Sequence, residues 1–262
     1  MHAITGVFVS KIEAEQAVSK LRAAGLSPER VTLLTPAEQG KTLESVPVDT
    51  AEQPGMGTAL GSVIGGAAGL SGFLALVPGV GIVTAIGVLG AAVLTAAGAG
   101  VGAVVGSSLE NATTEGLPED EIFVYEDALR KGRSVVIALV EDAAESKPIG
   151  EILESQGAED VDSAREQWWI GLRNAEQERY LKSGRNFSDD EKFFRLGFEA
   201  ALHARTRCKE FDQVSSEMNA TLEELQRQYP GVDLEAPFTH GYERGREYYQ
   251  HLCEESKESK AA

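Results

Sequence analysis

The stretch whose reading decides the architecture is 57-GTALGSVIGGAAGLSGFLALVPGVGIVTAIGVLGAAVLTAAGAGVGAVVGSSL-109, fifty-three consecutive residues without Asp, Glu, Lys, Arg, His, Asn or Gln. Gly and Ala fill 25 of the positions and Leu, Ile, Val or Phe another 20, a run too long for a soluble strand or one core helix. At its midpoint Val77-Pro78-Gly79-Val80-Gly81 combines a ring-locked φ, a missing N–H donor and glycines that permit reversal, so Pro78, Gly79 and Gly81 mark a turn. The expected product is a helical hairpin. Its arms, about 57–76 and 82–109, would run about 30 Å and somewhat more than about 40 Å at the α-helical rise.

Glycine spacing supports helices. Gly57, Gly61, Gly65 and Gly69 recur every fourth residue, and Gly98, Gly102 and Gly106 repeat the interval on the second arm. A stripe without side chains lets two helix backbones approach closely, which is how helices associate where partner and surroundings are equally apolar. These seven glycines are the candidate packing and oligomerisation residues. Leu60, Ile64, Phe73, Leu74, Ile86, Leu89, Val93, Val101 and Val105 are the candidate apolar lining of the resulting assembly.

Outward from the stretch lie two similar segments. Ala3 to Val9 alternates as a strand, Ala14, Ala17, Val18 and Leu21 share a helical face, Gly25 stops the helix, and Val31 to Leu34 is a second strand. On the far side, Pro118 with Glu119, Asp120 and Glu121 opens a helix stopped by Gly132, and Ser134 to Val140 is a strand. Ser146 and Pro148 open a further helix closed by Gly157, and Ala158 to Val161 is a short last strand. The two halves share a four-residue step from Leu to Gly (Leu21–Gly25, Leu153–Gly157). The expected fold class is α+β: a pseudo-symmetric, ferredoxin-like four-stranded α/β sandwich made of residues 1–35 and 117–163. Residues 36–56, rich in Gln, Glu, Pro and Thr, form a linker into the inserted hairpin.

Beyond Ala164 the strand signal ends. Trp168, Trp169, Leu172 and Tyr180 lie on a first helix, and Ser188-Asp189-Asp190-Glu191 reads as a capping box for a second with Phe194, Phe198, Ala201 and Leu202 as its stripe. Helices follow at about 209–229 and 236–255. Phe194-Arg195-Leu196-Gly197-Phe198-Glu199 and Phe238-Thr239-His240-Gly241-Tyr242-Glu243 repeat one phrase, which predicts two equivalent, closely packing helices. Residues 164–256 therefore read as a separate all-helical docking module with Phe194, Phe198, Phe238 and Tyr242 toward a partner, and 257–262 as a disordered tail.

The order strand-helix-strand, glycine-rich insertion, Gly116-Leu117-Pro118-Glu119-Asp120-Glu121 with Tyr125, Leu129 and Gly132, then Val135 to Val140 and Ile152-Leu153 to Gly157-Ala158-Glu159-Asp160-Val161, resembles the bacterial general-stress-protein domain with a glycine-rich insertion. The resemblance covers about residues 3–163. It implies the architecture and a link to stress, but no activity; residues 164–262 have no counterpart in it.

Composition excludes several functions. Lys plus Arg is 24 against 41 Asp plus Glu, a net charge of −17 that repels phosphate backbones, so nucleic acid is not an expected partner. Cys208 and Cys253 make neither a disulfide framework nor a metal-ligand spacing, and the start of the sequence lacks a signal-peptide progression, so a cytoplasmic setting is expected. The four-residue pairs Glu199/His203 and Glu247/His251 are ordinary helix-face pairs rather than metal ligands. Trp168-Trp169 reads as an aromatic seal between domains or subunits, with a membrane anchor or ligand platform as the other reading. No nucleophile elbow or P-loop is present. No catalytic residue, metal or cofactor is expected.

Three ways of hiding the charge-free stretch are open, of which a monomer folding the hairpin onto itself fares worst, because two thin helices cannot cover each other's outer faces. Against two membrane spans stand the lack of Lys or Arg between Lys41 and Arg130 and the lack of flanking Trp or Tyr. The other solution pools hairpins from several copies into a closed tube. The leading expectation is a non-catalytic, stress-related homo-oligomeric scaffold at the cytoplasmic face of the inner membrane. Its alternative is a scaffold subunit of a redox complex, whose apolar tube conveys a quinone or lipid to a partner enzyme held by the C-terminal helices.

Overall fold

The computed structural model describes residues 2–36, 72–77, 80–86, 118, 120–203, 205–207 and 209–261. Its fold is mixed α+β. The chain divides into two compact units, Met1–Pro118 with Val124–Ala164, and Glu119–Phe123 with Arg165–Ala262.

In the first unit, β1 (His2–Phe8) leads into α1 (Lys11–Ala23), whose start is fixed by a capping box: Glu13 N–H donates to Ser10 Oγ, and Ser10 N–H donates to the Glu13 carboxylate. Gly25, at φ +98°, ends the helix and turns the chain toward β2 (Val31–Pro36). β3 (Gly72–Val77) and β4 (Gly81–Ile86) follow, then α2 (Ile122–Arg130), β5 (Ser134–Val140) and α3 (Ala143–Ser155). The sheet is antiparallel with spatial order β1-β5-β2-β4-β3. β5 lies between β1 and β2 and is buried along its whole length, which is why SVVIALV carries no polar residue after Ser134.

Alternation along the strands divides the sheet into two apolar faces. Phe8, Val31, Leu33, Val136, Ala138 and Val140 meet Ala14, Ala17 and Leu21 of α1 and Ile149 and Leu153 of α3. The opposite face carries Val7, Leu34, Val135, Ile137, Val83 and Ala85, all buried, and there the Tyr125 hydroxyl of α2 lies 3.1 Å from Thr5 Oγ1. Every residue of α2 from Ile122 to Leu129 is buried, Glu126 and Asp127 included; Asp127 accepts Arg130 and Lys131.

Three expectations need correction in this unit. The described core of the 57–109 stretch is a β-hairpin, not a helical one: Phe73, Leu74 and Ile86 stand in strands, with Phe73 opposite Ala85, Leu74 opposite Thr84 and Val77 opposite Gly81. The reversal falls between Val77 and Gly81. The period, however, is set by two six-residue β-rich runs bounded by glycine, which a four-residue glycine interval does not describe. β4 then adds to β2, Leu34 opposite Ala85 and Pro36 opposite Val83, so these residues extend the sheet rather than leave it. Ala158 to Val161 makes one bridge, with Val7 and Glu159 exchanging both backbone bonds, and no strand. Asp160 accepts from Ser163 N–H and Ser163 Oγ, both at 2.8 Å, and so starts a helix before a strand can extend; these bonds hold its carboxyl below the usual carboxylate range. Finally, α3 is capped by Asp142 at Ala144 N–H rather than opened by Ser146, and Pro148 lies inside it.

Four helices make the second unit: α4 (Val161–Tyr180), α5 (Phe187–Leu202), α6 (Ser215–Gln228) and α7 (Glu235–Ala261). The cap of α5 is Asn186, accepting from Ser188 N–H at 3.1 Å, not Ser188 itself. Residues 257–261 belong to α7, which corrects the expected tail. No helix among the described residues is long and apolar enough to cross a membrane.

Candidate functional site

The candidate assembly site begins at the β3 edge. β3 pairs with β4 on one side, and among the described residues no strand pairs with the other. GFLALV holds no charge and no Pro, the devices by which natural edge strands avoid pairing with other chains. Phe73, Leu74, Gly81 and Ile86 are thereby placed on the hairpin at the sheet's end. Gly57, Gly61, Gly65, Gly69, Gly98, Gly102 and Gly106, the turn residues Pro78 and Gly79, and the lining candidates Leu60, Ile64, Leu89, Val93, Val101 and Val105 lie outside the described residues, as does the linker after Pro36.

Glycine controls the second unit at named atoms. A methyl on Gly197 of α5 would sit 2.8 Å from the Phe238 carbonyl carbon and nearer still to its oxygen; a methyl on Gly241 of α7 would meet the Phe194 carbonyl in the same way. Each glycine faces the carbonyl three residues before the other, so the repeated Phe-x-x-Gly phrase is a reciprocal helix crossing. Gly245 continues it against the Phe198 carbonyl. The phrase's aromatics are used up in the same place: Phe194, Phe198, Phe238 and Tyr242 are all completely buried in the unit's own core. This corrects their expected role toward a partner. Phe194 sits among Tyr180, Phe187, Trp169 and His240, and Tyr242 packs edge-on against Phe211 while its hydroxyl donates to the Thr206 carbonyl.

A shell of charged residues surrounds these rings. Arg173 forks onto Glu191 with two bonds of 2.6 Å, and Trp169 Nε1–H donates to the same carboxylate at 3.0 Å. Arg185 bonds Asp190 and Asp233, and the buried Tyr180 hydroxyl donates to Asp190 at 2.7 Å. Buried Glu176 takes a two-bond grip from Arg244 and a third bond from Arg179. The guanidinium partners hold the Asp190 and Glu191 carboxyls below their ordinary range, while burial first and the Asp190 bond second push the Tyr180 phenol up to about 12. Sequence periodicity places Trp169, Tyr180, Asp190 and Glu191 on helices, yet pairing them depends on how α4 and α5 cross, which spacing within one helix does not encode.

The helix-face pairs go elsewhere. Glu199 is engaged by Arg195 and Arg165, Glu247 by Arg244, and His251 by Glu255. His203 follows α5 beside Asp120, Arg165 and Arg207; burial, helped by the two guanidiniums against Asp120, lowers its pKa to about 4. Arg207 donates to the Leu202 carbonyl at 2.7 Å and lies over the Tyr249 ring, closing the end of α5. No group of three metal-ligating side chains occurs among the described residues. Cys253 is half-buried, and Cys208 lies outside the described residues. No family model, no curated protein and no solved structure matches the chain.

Proposed function

We propose that this chain is a non-catalytic assembly protein whose charge-free stretch associates with other copies or with a membrane surface. The observation that carries the reading is β3, an uncharged strand that ends the sheet among the described residues, embedded in fifty-three residues without a single ionisable side chain. Apolar surface of that extent is covered by something, and the charge distribution suits a surface that keeps its assemblies soluble: residues 1–164 hold 22 Asp and Glu against 9 Lys and Arg. The succession β1-α1-β2 and β5-α3-bridge supports the finer reading of two βαβ-like halves around an insertion, the pattern that the general-stress resemblance implies. The helical unit then hangs on the same chain as a self-contained body rather than as a sticky one.

Native mass spectrometry of the full chain, with flotation on anionic vesicles alongside, tests the proposal. Assemblies or vesicle binding are expected, and Leu74→Lys with Leu76→Lys disperses them, because like charges on neighbouring edges repel. A parent chain that stays single-copy without detergent and ignores vesicles overturns it.

A further inference from the structure

Trp and Tyr are among the side chains most readily oxidised by one electron, and in the helical unit one of each is buried with its polar hydrogen already directed at a carboxylate. Trp169 Nε1–H donates to Glu191 at 3.0 Å and the Tyr180 hydroxyl to Asp190 at 2.7 Å, so the acceptors are consecutive residues of α5. Both rings touch one residue: Phe194 lies 6.2 Å from Trp169 and 5.1 Å from Tyr180, centroid to centroid. The ring contacts continue through Phe198 to Trp168 and to half-buried Tyr248, and beyond Tyr180 to His240 at 4.9 Å. A core needs rings, but not an ionised acceptor at both polar tips; keeping carboxylates there, Asp190 buried and Glu191 half-buried, is costly and takes Arg185 and Arg173 to hold them. The chemistry supplies a reason. A phenol that loses an electron becomes a very strong acid, and in an apolar interior its proton has nowhere to go unless a base is already bonded to it.

We infer that Trp169, Phe194 and Tyr180, with Glu191 and Asp190, form a one-electron relay that receives an oxidising equivalent from an oxygen-centred radical at the surface and holds it on Tyr180. In the first step Trp169 gives one electron to that radical, which is reduced, and the indole N–H proton passes to Glu191. In the second, Tyr180 gives one electron across Phe194 to the Trp169 radical, which recovers its proton from Glu191. The Tyr180 O–H bond breaks and its proton moves to Asp190, leaving a neutral tyrosyl radical and a protonated carboxyl. A one-electron reductant such as a thiol returns the pair to the starting state.

The test uses the full chain with photogenerated tris(bipyridine)ruthenium(III) as the one-electron oxidant, read by transient absorption and freeze-quench electron paramagnetic resonance. The parent shows a tryptophan radical whose decay matches the rise of a tyrosyl signal. Tyr180→Phe abolishes that rise and lengthens the tryptophan radical's life, Trp169→Phe removes the fast phase, and Asp190→Asn slows it, whereas Tyr249→Phe leaves it as in the parent. Circular dichroism confirms that each ring-preserving variant is folded, and should Tyr180→Phe not fold, Trp169→Phe decides alone. Unchanged traces in Tyr180→Phe, or in Trp169→Phe, overturn the inference.

Discussion

Glycine organises both halves of this molecule, and it does so by opposite means. In the helical unit Gly197 and Gly241 are each pressed against a backbone carbonyl of the partner helix, so the missing side chain is the contact. In the sheet unit Gly72 and Gly81 bound two short strands, and the glycine marks where an element begins rather than where two elements touch. A small-residue interval alone does not say which of these it is. What surrounds it does: Phe198 and Tyr242, next to the helical glycines, are buried within the helical unit, whereas Phe73 and Ile82, next to the others, stand in strands that pair across a sheet.

The comparison is broken most forcefully at the crossing. Gly197→Ala or Gly241→Ala drives a methyl into a carbonyl that cannot rotate away, and each is expected to cost about 3 kcal/mol or more, with loss of the helical unit's cooperative melt by circular dichroism. Acid separates the halves next. An unfolded His203 takes a proton near pH 6.5 and the folded one near 4, so its contribution is complete above that window and shrinks as pH falls through it, by about 3 kcal/mol in all. Denaturant melts at stepped pH are expected to show that slope, and His203→Gln to flatten it; Asp190 and Glu191, with their lowered carboxyls, weaken the unit only at still lower pH. Gly6→Ala tests the sheet side. Its methyl would lie 2.8 Å from Ala158 Cβ, which moves only with its backbone, and 3.2 Å from the Phe8 ring, so about 1–2 kcal/mol is expected, read by urea unfolding. The smallest effect has the opposite sign: Gly171, exposed in α4 with nothing near it, gains about 0.5–1 kcal/mol of stability as Ala in the same assay.

Much of the fold was readable from local signals because local chemistry decides it. Ser10 with Glu13, the stops at Gly25, Gly132 and Gly157, and the all-apolar Val135 to Val140 place elements by capping, positive φ and burial, and the Phe-x-x-Gly repeat foretold a close helix pair. Residues 72–86 misled because a short aliphatic run satisfies a strand and a buried helix equally; what settles it is pairing with β2, a partner about fifty residues away. Phe194, Phe198, Phe238 and Tyr242 misled for a related reason. A stripe shows that a face is apolar, not whose surface covers it, and here the chain covers it itself. The carboxylates under Trp169 and Tyr180 were visible only as helix-start acids until α4 and α5 were seen side by side.

The reciprocity of the Phe-x-x-Gly crossing reaches beyond stability. Because each half of the helical unit supplies one hollow and one knuckle, a cut in the loop between α5 and α6 leaves two fragments that are each other's template. Neither piece alone has anything to lay its glycine against. Split there and fused to separate cargoes, the two halves would recognise one another by backbone shape, with no engineered surface.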